Sequence, residues 1–157
     1  MFICTTKSPE ETALLAEKAG TRIREGTVLC LTGDLGAGKT LFARHIAKVL
    51  GVETEVTSPT FSLMNVYEGF CPILHFDLYR LNSEEELDDI GFYEYVDEPE
   101  GIVIIEWADK FLDDLPEEYV MVNFSRNENN DDNERHITFS CVGEKDADFL
   151  KELEKIC

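Results

Sequence analysis

Apolar positions along this chain follow three different rhythms. Residues 27–32 (TVLCLT) and 101–107 (GIVIIEW) are continuous runs, as in strands covered on both faces. Phe42, Ala43, Ile46, Ala47 and Leu50 recur at three- and four-residue steps, which predicts a helix stopped by Gly51. Ser8, Pro9 and Glu11 form a capping-box start for an earlier helix carrying Ala13, Leu14, Ala16 and Ala19. Residues 61–67 and 72–79 read as strands of an antiparallel hairpin joined through Glu68 and Gly69. Ser83 and Glu86 repeat the capping pattern and open a short acidic helix that ends near Gly91. Residues 120–124 and 135–142 alternate as a second hairpin around the polar loop NENNDDNE. Residues 144–156 close with a helix placing Phe149, Leu150 and Leu153 on one face.

With no internal repeat or long linker, residues 1–157 are expected to form one α/β domain. Its sheet is expected to be mixed, centrally parallel, flanked by helices and edged by antiparallel hairpins.

Between the first buried strand and its helix lies GDLGAGKT: Gly33, Asp34, Leu35, Gly36, Ala37, Gly38, Lys39 and Thr40. It matches G-x-x-x-x-G-K-[ST] in the strand–loop–helix context that gives the pattern its physics. Glycines let the backbone curl so that successive N–H groups face phosphate oxygens. The helix start adds free amides and partial positive charge. Lys39 can reach the β- and γ-phosphates, and the Thr40 hydroxyl can ligate Mg²⁺. A metal-side acid is also needed, and two strands end in one, at Asp77 and Glu106. Glu106 follows the more apolar run, which suits a strand beside that of the P-loop. Asp77 follows a more alternating, half-exposed run and is the candidate for positioning water. No N-K-x-D guanine reader is present, and D-x-x-G occurs only at Asp88–Gly91 in the acidic helix, so ATP is the expected nucleotide.

Composition adds two expectations. Thirty-three acids against fourteen bases give a formal charge of −19, which repels phosphate backbones and anionic membranes. Direct nucleic-acid binding is therefore not expected, and a basic protein partner is allowed; solubility alone explains the balance equally well. The five cysteines are odd in number and scattered, pointing to reduced thiols in a cytoplasm, without a disulfide framework or zinc site. No apolar run reaches membrane-spanning length, and MFICTTKSPE is not patterned as a signal segment.

GDLGAGKT, TSPTF (residues 57–61), HFDLYR (75–80) and IEW (105–107) occur in that order. Together they resemble the TsaE family (YjeE/YdiB-like), P-loop ATPases of threonylcarbamoyladenosine formation in tRNA. The resemblance spans residues from about 8 to 139. It implies a weak, Mg²⁺-dependent ATPase that drives or resets the TsaD–TsaB complex without transferring the group itself. By the same resemblance, Leu35 to Thr40 wrap the phosphates, and Thr40 with Glu106 holds Mg²⁺. Asp77 lies near the metal, and Thr57, Ser58 and Thr60 form a loop responsive to the γ-phosphate. Trp107 packs beside the pocket or a partner. Pro9, within residues 8–10, and Arg135 lie toward adenine. His75 reads as a hydrogen-bonding residue; Arg80 pairs with the acidic helix or touches a phosphate or partner. Two alternatives stay open: a small-molecule P-loop kinase, for which no arginine-rich lid is evident, and a nucleotide-gated adaptor with incidental hydrolysis.

Overall fold

A computed structural model describes residues 1–127 and 132–157. Seven strands, β1 (Phe2–Thr6), β2 (Val28–Gly33), β3 (Met64–Glu68), β4 (Pro72–Asp77), β5 (Ile102–Glu106), β6 (Tyr119–Arg126) and β7 (Arg135–Val142), form one sheet. Its order is β1-β7-β6-β2-β5-β4-β3. The four central strands β6, β2, β5 and β4 run parallel, while β7, β1 and β3 pair antiparallel at the flanks. This is the mixed sheet expected from the sequence.

Alternation along the buried strands divides the core into two layers. Leu29, Leu31, Ile102 and Ile104 face α1 (Pro9–Gly20) and α2 (Lys39–Val49), together with Phe42 and Ile46. Val28, Cys30, Val103 and Ile105 face α3 (Glu84–Asp89) and α4 (Phe92–Asp97), together with Leu87 and Phe92. Each such aliphatic side chain contributes about 1.5–3 kcal/mol by leaving water. Both faces of β2 and β5 are therefore committed, and only their C-terminal ends remain for chemistry.

Capping chemistry holds at both predicted helix starts. Ser8 Oγ accepts from Glu11 N at 3.1 Å, and Ser83 Oγ accepts from Glu86 N at 3.3 Å. Glu11 reaches back one residue further than the motif predicts, to Lys7 N at 2.7 Å.

Several expectations need correction. The first hairpin strand begins at Met64, because the chain turns through Leu63, whose N–H donates to Pro59 O at 2.6 Å. The last helix, α5, is shorter, Ala147–Glu154. β1, α4 and a 3-10 segment at Ala108–Asp114 were not anticipated. β4 is not half-exposed: residues 73–77 are all buried, because β3 and β5 flank it and both core layers cover it. Cys4 and Cys157, 153 positions apart, are brought together with Cα atoms 5.6 Å apart, within reach of a disulfide, whereas no such pairing was expected. Cys30, Cys71 and Cys141 are free thiols, and burial pushes the Cys30 thiol well up. The loop expected over residues 127–134 lies partly outside the described residues. No described helix is long and apolar enough to cross a membrane.

Candidate functional site

The loop after β2 is shaped by backbone that only glycine tolerates well. Gly33, Gly36 and Gly38 have φ of 139°, 75° and 114°. At Gly33 a Cβ would meet the Phe124 carbonyl oxygen at 2.5 Å, so sterics exclude a side chain as well. Helix α2 starts without a side-chain cap, leaving its first amides available to an anion.

Lys39 is buried, and its ammonium donates to Gly33 O and, at 2.8 Å, to Asp34 O. It also sits 4.1 Å from the centre of the Trp107 ring. Burial holds the lysine below its ordinary pKa, opposed by the negative charges of Glu106, Asp109, Asp77 and Asp34. A further anion here would favour the charged form.

Asp77 and Glu106 stand side by side in the β4–β5 register and are 3% and 2% exposed. Glu106 Oε1 accepts from Thr40 Oγ1 at 2.8 Å, and Oε2 accepts from His75 Nε2 at 2.6 Å. His75 Nδ1 is buried without a hydrogen-bond partner. Asp77 Oδ2 accepts from Ser58 Oγ at 2.7 Å and Thr60 Oγ1 at 3.0 Å; Oδ1 accepts from Tyr79 N at 3.0 Å.

These groups line a cavity of about 470 Å³, within the ordinary size range for a small-molecule site. Of the residues assigned from sequence, Pro9, Leu35, Gly36, Ala37, Gly38, Lys39, Thr40, Ser58, Thr60, Asp77, Glu106, Trp107 and Arg135 line it. Gly33 and Asp34 lie outside the lining, where their carbonyls accept from Lys39. Thr57 is also outside it, its amide donating to Tyr67 Oη on β3 at 3.4 Å. Arg80 stacks over Phe61 at 4.1 Å. Thr12, Leu41, Tyr79 and Asn133 complete the lining. Of these, Tyr79 was visible inside HFDLYR, whereas Thr12 looked only like part of a helix.

Among the described residues no three His, Cys, Asp or Glu side chains form a metal-binding group. The donors present are the oxygens of Thr40 and Glu106, hard ligands that fit a Mg²⁺ completing its shell with phosphate and water.

The family model for "Threonylcarbamoyl adenosine biosynthesis protein TsaE" matches residues 6–137, most of the chain. The chain belongs to the TsaE family. A Bacillus subtilis TsaE is 38% identical over 151 residues, covering 96% of this chain and 92% of the relative. A Treponema pallidum TsaE is 41% identical over 120 residues, covering 76% of this chain and 88% of the relative. The crystal structure of Bacillus subtilis YdiB superposes with a TM-score of 0.79 at 33% identity, covering 98% of this chain and 94% of that one. TsaE membership thus rests on nearly the whole fold, including the elements that build the cavity.

Proposed function

We propose that this TsaE-family chain binds ATP with Mg²⁺, hydrolyses it slowly, and couples that cycle to a TsaD–TsaB complex in the cytoplasm. In this reading it drives or resets the complex during threonylcarbamoyladenosine formation and leaves contact with tRNA to those partners. The observation that carries the nucleotide reading is Thr40 Oγ1 on Glu106 Oε1 at 2.8 Å, at the mouth of a glycine loop whose lysine is buried. The loop amides and Lys39 take the phosphates. Thr40 and Glu106 hold the cation, and Asp77 orients the attacking water. When bound, Mg²⁺ neutralises charge developing on the transferred phosphoryl group. The formal charge of −19 supports docking on protein and disfavours direct tRNA contact.

Calorimetry with ATP and Mg²⁺ tests the first half of this reading. The wild-type chain should release heat, and Lys39→Ala should lose nearly all affinity while keeping its fold, since a point charge between phosphates is removed. No heat from the wild type would overturn the reading. Capture of TsaD and TsaB from a defined mixture, stronger with ATP than without, tests the second half. Tight binding of labelled tRNA to the isolated chain at low salt would count against it.

The adaptor reading is favoured by a specific observation as well. Ser58 and Thr60 tie an exposed loop to Asp77, so ATP binding alone could reshape the partner surface. A hydrolysis-dead variant that still binds ATP separates the two readings.

A further inference from the structure

Three cations converge on the carbonyl side of the glycine loop. Lys39 takes Gly33 O and Asp34 O. Arg126 donates to Leu35 O at 3.0 Å, and Arg135 donates through Nε to Ala37 O at 3.0 Å and through Nη2 to Gly36 O at 3.5 Å. Every carbonyl from residue 33 to 37 therefore accepts from a cationic side chain. The two arginines occupy opposed positions, Arg126 on β6 and Arg135 on β7, and like charges directly across a strand pair repel. Carbonyl acceptors offset that repulsion, and the loop supplies them. Arg126 lies so close that a Cβ on Gly36 would come within 3.0 Å of its Nη2.

In a trans peptide unit the C=O and the following N–H point in opposite directions. Holding Leu35 O and Ala37 O on the hairpin side therefore turns the Gly36 and Gly38 amides away from it. Gly36 and Gly38 both line the cavity. A loop whose carbonyls are held in this way loses less freedom when its amides bind an anion.

We propose that Arg126 and Arg135 are positioning residues: from outside the loop they hold its carbonyls so that its amides face the phosphates. This assigns Arg135, which also lines the cavity, a loop-supporting role beside the adenine contact the resemblance implied, and it brings in Arg126, which no motif marked. The proposal rests on the reading that the loop binds ATP phosphates.

Arg126→Gln is the informative variant, because Arg126 is exposed and lies outside the cavity lining. Its affinity for ATP with Mg²⁺, by calorimetry, should fall roughly tenfold, with ADP weakened alike. Arg126→Lys should be intermediate, since an ammonium still donates but lacks the guanidinium fork. In the nucleotide-free protein, amide order parameters at residues 35–38 should drop from about 0.85 toward 0.6 in Arg126→Gln. An ATP affinity within about twofold of wild type would overturn the proposal. So would weakened ATP binding with unchanged order parameters, because Arg126 would then be a direct phosphate ligand. A wild type that binds no ATP would defeat the nucleotide reading instead, and the order parameters would still decide whether the arginines shape the loop.

Discussion

The ends of β4 and β5 carry two carboxylates that look interchangeable and are not. Asp77 and Glu106 are in register and equally buried, yet their hydrogen bonds lead to different kinds of structure. Glu106 is pinned by Thr40 on α2 and by His75 on β4, both within regular elements. Asp77 is held by Ser58 and Thr60, from a loop whose Ser58 and Phe61 are exposed. A carboxylate anchored between a strand and a helix suits a fixed metal ligand, because its geometry survives ligand exchange. One anchored to a surface loop suits a group whose surroundings change with the nucleotide. On the proposed reading, these two acids on neighbouring strands would divide the work by what holds them.

The largest test of that division is Glu106→Gln. Replacing the carboxylate removes a negative oxygen from the Mg²⁺ site, so Mg²⁺ should no longer strengthen ATP binding. The kcat/KM for hydrolysis should fall roughly 1,000-fold, equivalent to about 4 kcal/mol of lost charge stabilisation. The amide can still satisfy both neighbours, its oxygen accepting from His75 Nε2 and its NH₂ donating to Thr40 Oγ1, a hydroxyl that accepts as well as donates. With no buried donor left unpaired, thermal unfolding should stay within a few degrees of the wild type, so the lost Mg²⁺ response reports the missing charge. Retained Mg²⁺ dependence would show that the cation sits elsewhere.

Asp77→Asn should separate cleanly from this. Its neighbours are hydroxyls and an amide, so an asparagine oxygen can keep part of the network. Mg²⁺-dependent ATP binding should stay within about threefold of wild type while hydrolysis falls roughly 100-fold, as expected when water orientation is lost. The same variant decides between motor and adaptor. If tRNA modification in a reconstituted system survives without hydrolysis, ATP binding alone is the signal; if it stops, turnover is required. Equal loss of Mg²⁺ response in both variants would erase the distinction between the acids.

The legible and illegible parts of this molecule differ in the range of the interactions behind them. The glycine loop, Lys39, Thr40 and both caps were readable because each is a local device with its chemistry inside a few residues. The alternation in β4 was read correctly as a pattern and wrongly as exposure. His75 and Asp77 do share one face, but that face turns toward the buried site beside α2 instead of water. Polar alternation marks a polar environment, and only tertiary structure says whether that environment is solvent. β1 was missed because five residues at an edge acquire meaning only from pairing with β7, far along the chain. The Cys4–Cys157 contact and the convergence of Arg126 and Arg135 on the loop are likewise products of the assembled fold. No spacing rule reaches across such separations.

The smallest expected effect is also the sharpest test of how Asp77 is held. Ser58→Ala removes the 2.7 Å bond to Oδ2 but leaves Thr60 and the Tyr79 amide in place, so the carboxylate keeps two of its three donors. Losing one such bond costs about 1 kcal/mol, and hydrolysis should slow roughly fivefold. Mg²⁺ affinity should not move, because nothing around Glu106 touches Ser58. If Ser58 acts through Asp77, its cost should vanish when combined with Asp77→Asn, since the double variant has no carboxylate left to position. A Ser58 effect that persists undiminished on the Asp77→Asn background would mean that the loop reaches the nucleotide directly, and that Asp77 only anchors it.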